Sequence, residues 1–330
     1  MQNYYIENII AGIEKELTDY FAKNQGQLPE HVYHYTSMHG LIGIIESKLM
    51  WATNYNYLND SSEFKYGIQI FKDTVTEIIS ETQNPLVINL LETSREHFGS
   101  RYEMYITCFC EESNLLSQWR GYANNGGGFS LGIHTAMFRH WSAFSVYGPE
   151  SDISKRETQK VFENIIFRKV IYNEAEQKKL IRETVGKIIP KIDHHISRYS
   201  GDELEEVKRL FLGLINKVVT ELIISFKHPT FSEEKEWRSV YIDKDPYRTF
   251  DENVKQPNLK FRVGNNKIIP YVALPLYAKV GVNQGNLPIE NITCGPTLQS
   301  DLTRKSIGML LAINKFRIDE IRFSGIPFAT

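Results

Sequence analysis

Apolar positions recur at helical spacing over residues 3 to 24, through Ile6, Ile9, Ile10, Ile13 and Leu17, and Gly26 and Pro29 close that segment. The next residues, "HVYHYTS", alternate as a strand does. Leu41, Ile44, Ile45 and Leu49 then return to helical spacing, and "LMWATNY" resumes a strand. The pattern predicts helices over 62–82 and 85–98. Two strands, "RYEMYITCFC" and "GGFSLGI", flank a polar and aromatic segment, "EESNLLSQWRGYANNGG".

From Asn173 to Phe226 the signal is almost wholly helical. Asp202 with Glu205 resembles a capping box, and Leu204, Val207, Phe211, Leu214 and Val218 form one stripe. Beyond His228-Pro229, strands return as "EWRSVYI", "LKFRVG", "KIIPYVALPL", "VGVNQG", "IENITCGP" and "IDEIRFSGIPF", with a helix at 298–315 among them. Strands at both ends with helices between predict an α+β domain whose sheet is assembled from distant segments. The expected organisation is an N-terminal helix (1–30), a first half of the core (31–172), a helical insertion (173–227) and a second half (228–330).

Composition narrows the classes. With 330 residues and 42% apolar content, the chain can bury a sizeable core. Its 38 basic and 40 acidic side chains leave a net charge of -2, which excludes a whole-molecule field drawing it to nucleic acid or anionic membrane. Glu7, Glu14, Lys15, Glu16 and Asp19 interrupt the first apolar segment, so it reads as a surface helix and not a secretory signal. No apolar run approaches the ~20 residues that span a bilayer. These features, with three cysteines, predict a cytoplasmic protein whose Cys108, Cys110 and Cys294 are buried thiols and not metal ligands.

Four segments concentrate chemistry. In Tyr33-His34-Tyr35-Thr36, strand alternation sends His34 and Thr36 one way and the two tyrosines the other; an edge strand with a polar face explains the same pattern. From Trp51 to Glu63, Asn59-Asp60-Ser61-Ser62 reads as a turn and helix cap, while Tyr55 and Tyr57 are free to stack on a flat ring. Ser117, Gln118, Trp119, Arg120 and Tyr122 gather hydrogen-bonding and aromatic groups; Arg120 suits a phosphate or a structural salt bridge equally. The glycines that follow lack the Lys-Ser/Thr of a phosphate loop and predict a hairpin turn. In "FSEEKEWRSVYI", a strand from Glu234 to Tyr241 would set Glu234, Glu236 and Arg238 in a row, as active-site carboxylates or as an exposed ion-pair ladder.

Together, Tyr-His-Tyr, the Trp and Asn-Asp turn, Cys-Phe-Cys, Leu-Ser-Gln-Trp, Tyr-Ala, "KVIYNEAEQ", Glu-x-Glu-Trp-Arg and "FSGIPF" resemble an uncharacterised bacterial family, a domain of unknown function. The resemblance runs from about 31 to 328. That family is remotely similar to the ADP-ribosyltransferase fold, a split, mostly antiparallel α+β core holding NAD in a cleft. The resemblance implies NAD as co-substrate and no metal. Glu236 would be the catalytic acid and Glu234 would orient the nucleophile; His34 and Thr36 would meet the adenosine side. Tyr55, Tyr57, Trp119 or Tyr122 would stack on nicotinamide, with Ser117, Arg120 and Arg238 completing the cofactor site. The Ser-Thr-Ser strand of the arginine-specific transferases is not evident. The resemblance further implies a macromolecular acceptor, protein or nucleic acid, or simple NAD hydrolysis, a regulatory partner, and a setting in a bacterial toxin or phage-defence system. Rival expectations are a non-catalytic nucleotide or nucleic-acid module, with Arg120 and Arg238 on phosphates, and an interaction scaffold built on residues 174–226.

Overall fold

The computed structural model describes residues 2–24, 26–58, 62–98, 103–135, 165–243, 259–264, 266–275 and 288–328, and these group into two units. The predicted strand "VGVNQG" and the Asn59-Asp60 turn lie outside the described residues.

The first unit gathers residues 1–27, 60–101 and 169–232. It holds α1 (Gln2–Asn24), α3 (Ser62–Glu81), α4 (Pro85–His97), α6 (Glu174–Ile196) and α7 (Gly201–Ile223). Each helix carries an apolar stripe too wide to leave in water. Leu17, Phe71, Leu91, Ile181, Val185, Phe211 and Ile215 meet in one core, so the helical body takes in more chain than the 173–227 stretch. Asn84 and Asn173 cap their helices by accepting from Leu86 and Glu176 amides, both at 2.9 Å. The capping box expected at Asp202 does not form: α7 begins at Gly201, which has φ +57, and Asp202 sits inside its first turn.

The second unit, residues 28–59, 102–168 and 233–330, carries an open, mostly antiparallel sheet. Its strands are β1 (His31–Thr36), β2 (Leu49–Asn54), β3 (Glu103–Cys110), β4 (Phe129–His134), β5 (Ile165–Lys169), β6 (Glu236–Asp243), β7 (Leu259–Gly264), β8 (Lys267–Pro275), β9 (Ile289–Cys294) and β10 (Glu320–Phe323). The order is β10-β9-β4-β1-β3-β2-β8-β7, with β6 also on β3 and β5 on β6; β9 and β10 run parallel.

The sheet forks at β3. One edge of β3 pairs with β6 along its whole length, Glu103 opposite Asp243 through Cys110 opposite Glu236. The other edge is shared: β2 takes Tyr105 and Ile106, and β1 takes Cys110 through Tyr33. Helices α2 (Met38–Ser47) and α8 (Ser300–Ile313) close one face, packing Leu41, Ile44, Ile45, Ile307 and Leu311 against Val32, Met50, Leu131 and Trp237. On the other face, Tyr35 and Cys110 pack with Trp119 and Ala123, against Ile326 and Phe328 of the C-terminal segment.

Candidate ligand site at the fork of the sheet

At the fork, His34 occupies the stretch of β3 edge between its two partner strands. Its Nδ1 donates to the Cys108 carbonyl at 2.9 Å and leaves Nε2 as the acceptor nitrogen of the neutral ring. Burial holds the His34 pKa below its usual value, opposed by the bond to Cys108, and its ring lies 5.8 Å from Phe109. Thr36, at the end of β1, is gripped by two glycines. A Cβ on Gly40 would lie 1.9 Å from the Thr36 hydroxyl, and one on Gly128 would lie 2.3 Å from its carbonyl. The Thr36 side chain therefore packs on the first turn of α2, which Ser37 caps by accepting from the Gly40 amide.

Glu236 and Arg238 sit on β6, both buried, and the guanidinium forks the carboxylate with Nε–Oε1 at 2.7 Å and Nη2–Oε2 at 3.0 Å. One rung of the sheet, Tyr33–Cys110–Glu236, joins the first signature strand to the last, some 200 residues away. The expected row of three charges is corrected. Glu234 ends a 3-10 turn (Pro229–Glu234) and Lys235 turns through φ +44, so β6 begins only at Glu236. The left-handed residue breaks the alternation that would have aligned Glu234 with Glu236. Lys235 reaches back to Glu112 at 2.7 Å, and the Trp237 indole donates to Glu111 at 2.8 Å.

Alternation on β1 also separates the signature residues. Tyr33 shares a face with Cys110 and Glu236, while His34 and Thr36 project from the opposite face with Phe109 and Trp237. Tyr33 is the half-buried aromatic nearest Glu236 by register, and burial raises its phenol pKa. Local spacing does not relate Tyr33 to Glu236, because only the rung through β3 joins the two positions. Tyr35, its neighbour, is structural: its hydroxyl donates to the Glu112 carbonyl at 2.8 Å and accepts from the Leu115 amide at 2.9 Å.

The segment Ser117 to Tyr122 lies on a short helix, α5 (Leu116–Tyr122). Trp119 is wholly enclosed, edge-on to Tyr35 with centroids 4.8 Å apart and its indole N–H on Asn114, so it offers no face to a stacking ring. Ser117 donates to Glu233 at 3.3 Å; Arg120 lies exposed, 5.7 Å over the Phe328 ring, and Tyr122 is exposed. Tyr55 and Tyr57 form a 3-10 turn after β2, the first half-buried with a raised pKa from burial and the second exposed. Gly126 and its neighbours make a turn into β4, with Asn124, Asn125 and Gly126 all at positive φ.

Cys110 and Cys294 are buried thiols whose pKa values burial pushes up to about 12, which leaves them unreactive, whereas Cys108, expected to be buried, is only half-buried. Among the described residues no group of three or more His, Cys, Asp or Glu side chains is placed to hold a metal ion. Among the same residues no helix is long and apolar enough to cross a membrane.

The class these features define is a mixed α/β protein with a forked, mostly antiparallel open sheet and a separate helical unit. The family described as Protein of unknown function (DUF2971) matches residues 118–239, from α5 to β6. That span holds Trp119, Arg120, Tyr122, Glu234, Glu236 and Arg238, and leaves His34, Thr36, Tyr55 and Tyr57 outside it. No curated protein and no solved structure matches the chain.

Proposed function

We propose that the protein is an NAD-consuming, ADP-ribosyltransferase-like enzyme with Glu236 as its catalytic carboxylate. The observation that carries this proposal is the fork in β3, where His34 fills the gap and a single rung brings in Glu236. Breaking the N-glycosidic bond of NAD builds positive charge on the ribose, and a carboxylate fixed beside it stabilises that charge more in the transition state than in the ground state. Arg238 holds the Glu236 carboxylate oriented before substrate arrives, so little reorganisation accompanies the reaction. The departing nicotinamide neutralises its own ring, so no acid is required for leaving. Tyr33 is the half-buried aromatic on the Glu236 rung that would meet the nicotinamide, whereas Tyr55 follows the strand residue paired with Tyr105, five residues along β3 from Cys110; the acceptor is a macromolecule or water.

Incubation with NAD labelled in its adenosine half, with and without cell lysate, tests the proposal. Release of nicotinamide together with labelled ADP-ribose, free or on a macromolecule, is the expected result. Unchanged NAD in every condition would remove the enzyme.

A further inference from the structure

Away from the fork, at the β2-β8-β7 end of the sheet, stands a cation with no carboxylate against it among the described residues. Arg262 on β7 is half-buried; its Nη2 donates to the Thr53 hydroxyl at 3.2 Å, and its buried Nε has no hydrogen-bond partner among the described residues. Burial holds the guanidinium pKa below its ordinary value, and among the described residues Tyr271 is the ionisable neighbour acting on it. Arg238, by contrast, is buried with a carboxylate in its fork. A half-buried guanidinium with no carboxylate against it costs stability unless an anion completes it.

The surroundings say what that is. Lys260, exposed, shares the Arg262 face by alternation and stands opposite Tyr271 in the ladder. Gly264, next on the same face, adds no side chain: a Cβ there would lie 4.0 Å from Arg262 Nη1. Trp51 and Tyr271 stack at a tilt on the adjoining strands, centroids 5.1 Å apart. Two cations, a hydroxyl and a bare backbone make a donor-rich seat, and the guanidinium presents a planar fork that suits a tetrahedral oxyanion.

We propose that Arg262, with Lys260 and Thr53, forms a phosphate-binding subsite for a phosphate ester, separate from the Glu236 centre. The phosphate belongs to the pyrophosphate of a dinucleotide or to a polynucleotide backbone. The subsite does not depend on the function proposed for Glu236, and Glu236→Gln leaves it intact.

Calorimetric titration of the full chain with inorganic pyrophosphate tests it, with thermal melts alongside. The wild type binds; Arg262→Gln weakens binding at least tenfold, and its ligand-free melting midpoint is equal to or above that of the wild type. Lys260→Gln weakens binding to a lesser extent, with its fold untouched because the side chain is exposed. Competition by NAD or by a single-stranded oligonucleotide then assigns the source of the phosphate, and displacement by either supports the subsite. No binding of pyrophosphate to the wild type would overturn it. So would equal binding by wild type and both variants, or an Arg262→Gln midpoint that falls while pyrophosphate binding persists, which marks a structural arginine.

Discussion

The Arg238 guanidinium closes on the Glu236 carboxylate with both side chains buried and two residues apart on one strand. A buried pair of this kind is asymmetric in its consequences: removing one member strands the other's charge. Arg238→Met is therefore expected to lower unfolding free energy by about 3–5 kcal/mol. The double variant Glu236→Leu/Arg238→Met should lose less than Arg238→Met alone. Urea unfolding of the single and double variants measures this, and equal losses would show that the pair is not coupled.

Tyr35 ties β1 to the segment after β3 through two hydrogen bonds at one hydroxyl. Tyr35→Phe keeps the ring against Trp119 but leaves the Glu112 carbonyl and the Leu115 amide, both in part-buried bonds, without that partner. The expected cost is about 1–3 kcal/mol, read by denaturant midpoint.

Gly128 admits no side chain, since an added Cβ would meet the Thr36 carbonyl at 2.3 Å and the Ala123 carbonyl at 2.8 Å. These are backbone atoms that cannot rotate away. Gly128→Ala is expected to destabilise by about 1–3 kcal/mol or more. Gly121→Ala, on α5 with no atom within 4 Å of its added Cβ, serves as the control and should leave the midpoint almost unchanged.

His34 gives the second unit a pH signature. Its folded pKa is depressed by burial, so near the unfolded value of about 6.5 the unfolded chain binds the proton more readily. Its contribution to stability is complete above that value and is lost as pH falls toward the folded pKa. His195 in the helical unit is also depressed, by burial and then by His194 and Arg198, and acts in the same direction. Melting curves between about pH 5 and 8 for wild type and His34→Gln should therefore differ in slope, the variant falling less steeply with acid. Parallel curves would show that His34 titrates alike in both states.

How much of this was legible follows from the range of each signal. The helices over 62–81 and 85–97 and the strands at 31–36 and 103–110 stand where apolar spacing put them, because periodicity is local. The fork was hidden, since Tyr33, Cys110 and Glu236 meet only through ladder register. Glu234 was misaligned because one left-handed residue, Lys235, carries no mark in an otherwise alternating run. Helix α5 is only seven residues, too short for a stripe to show. Arg262 sits in "LKFRVG", where alternation leaves both faces open. The structure turns Phe261 and Val263 to solvent and the two cations toward Thr53 and Tyr271.

The central claim is that Glu236 stabilises a ribose turning cationic, and steady-state nicotinamide release from NAD tests it most directly. Wild type and Glu236→Gln are compared after denaturant curves have shown both to be folded. Turnover by the variant is expected to fall on the order of a hundredfold or more with KM little changed, because the carboxylate acts on the transition state. Equal release by the two proteins, or none by the wild type, would contradict it.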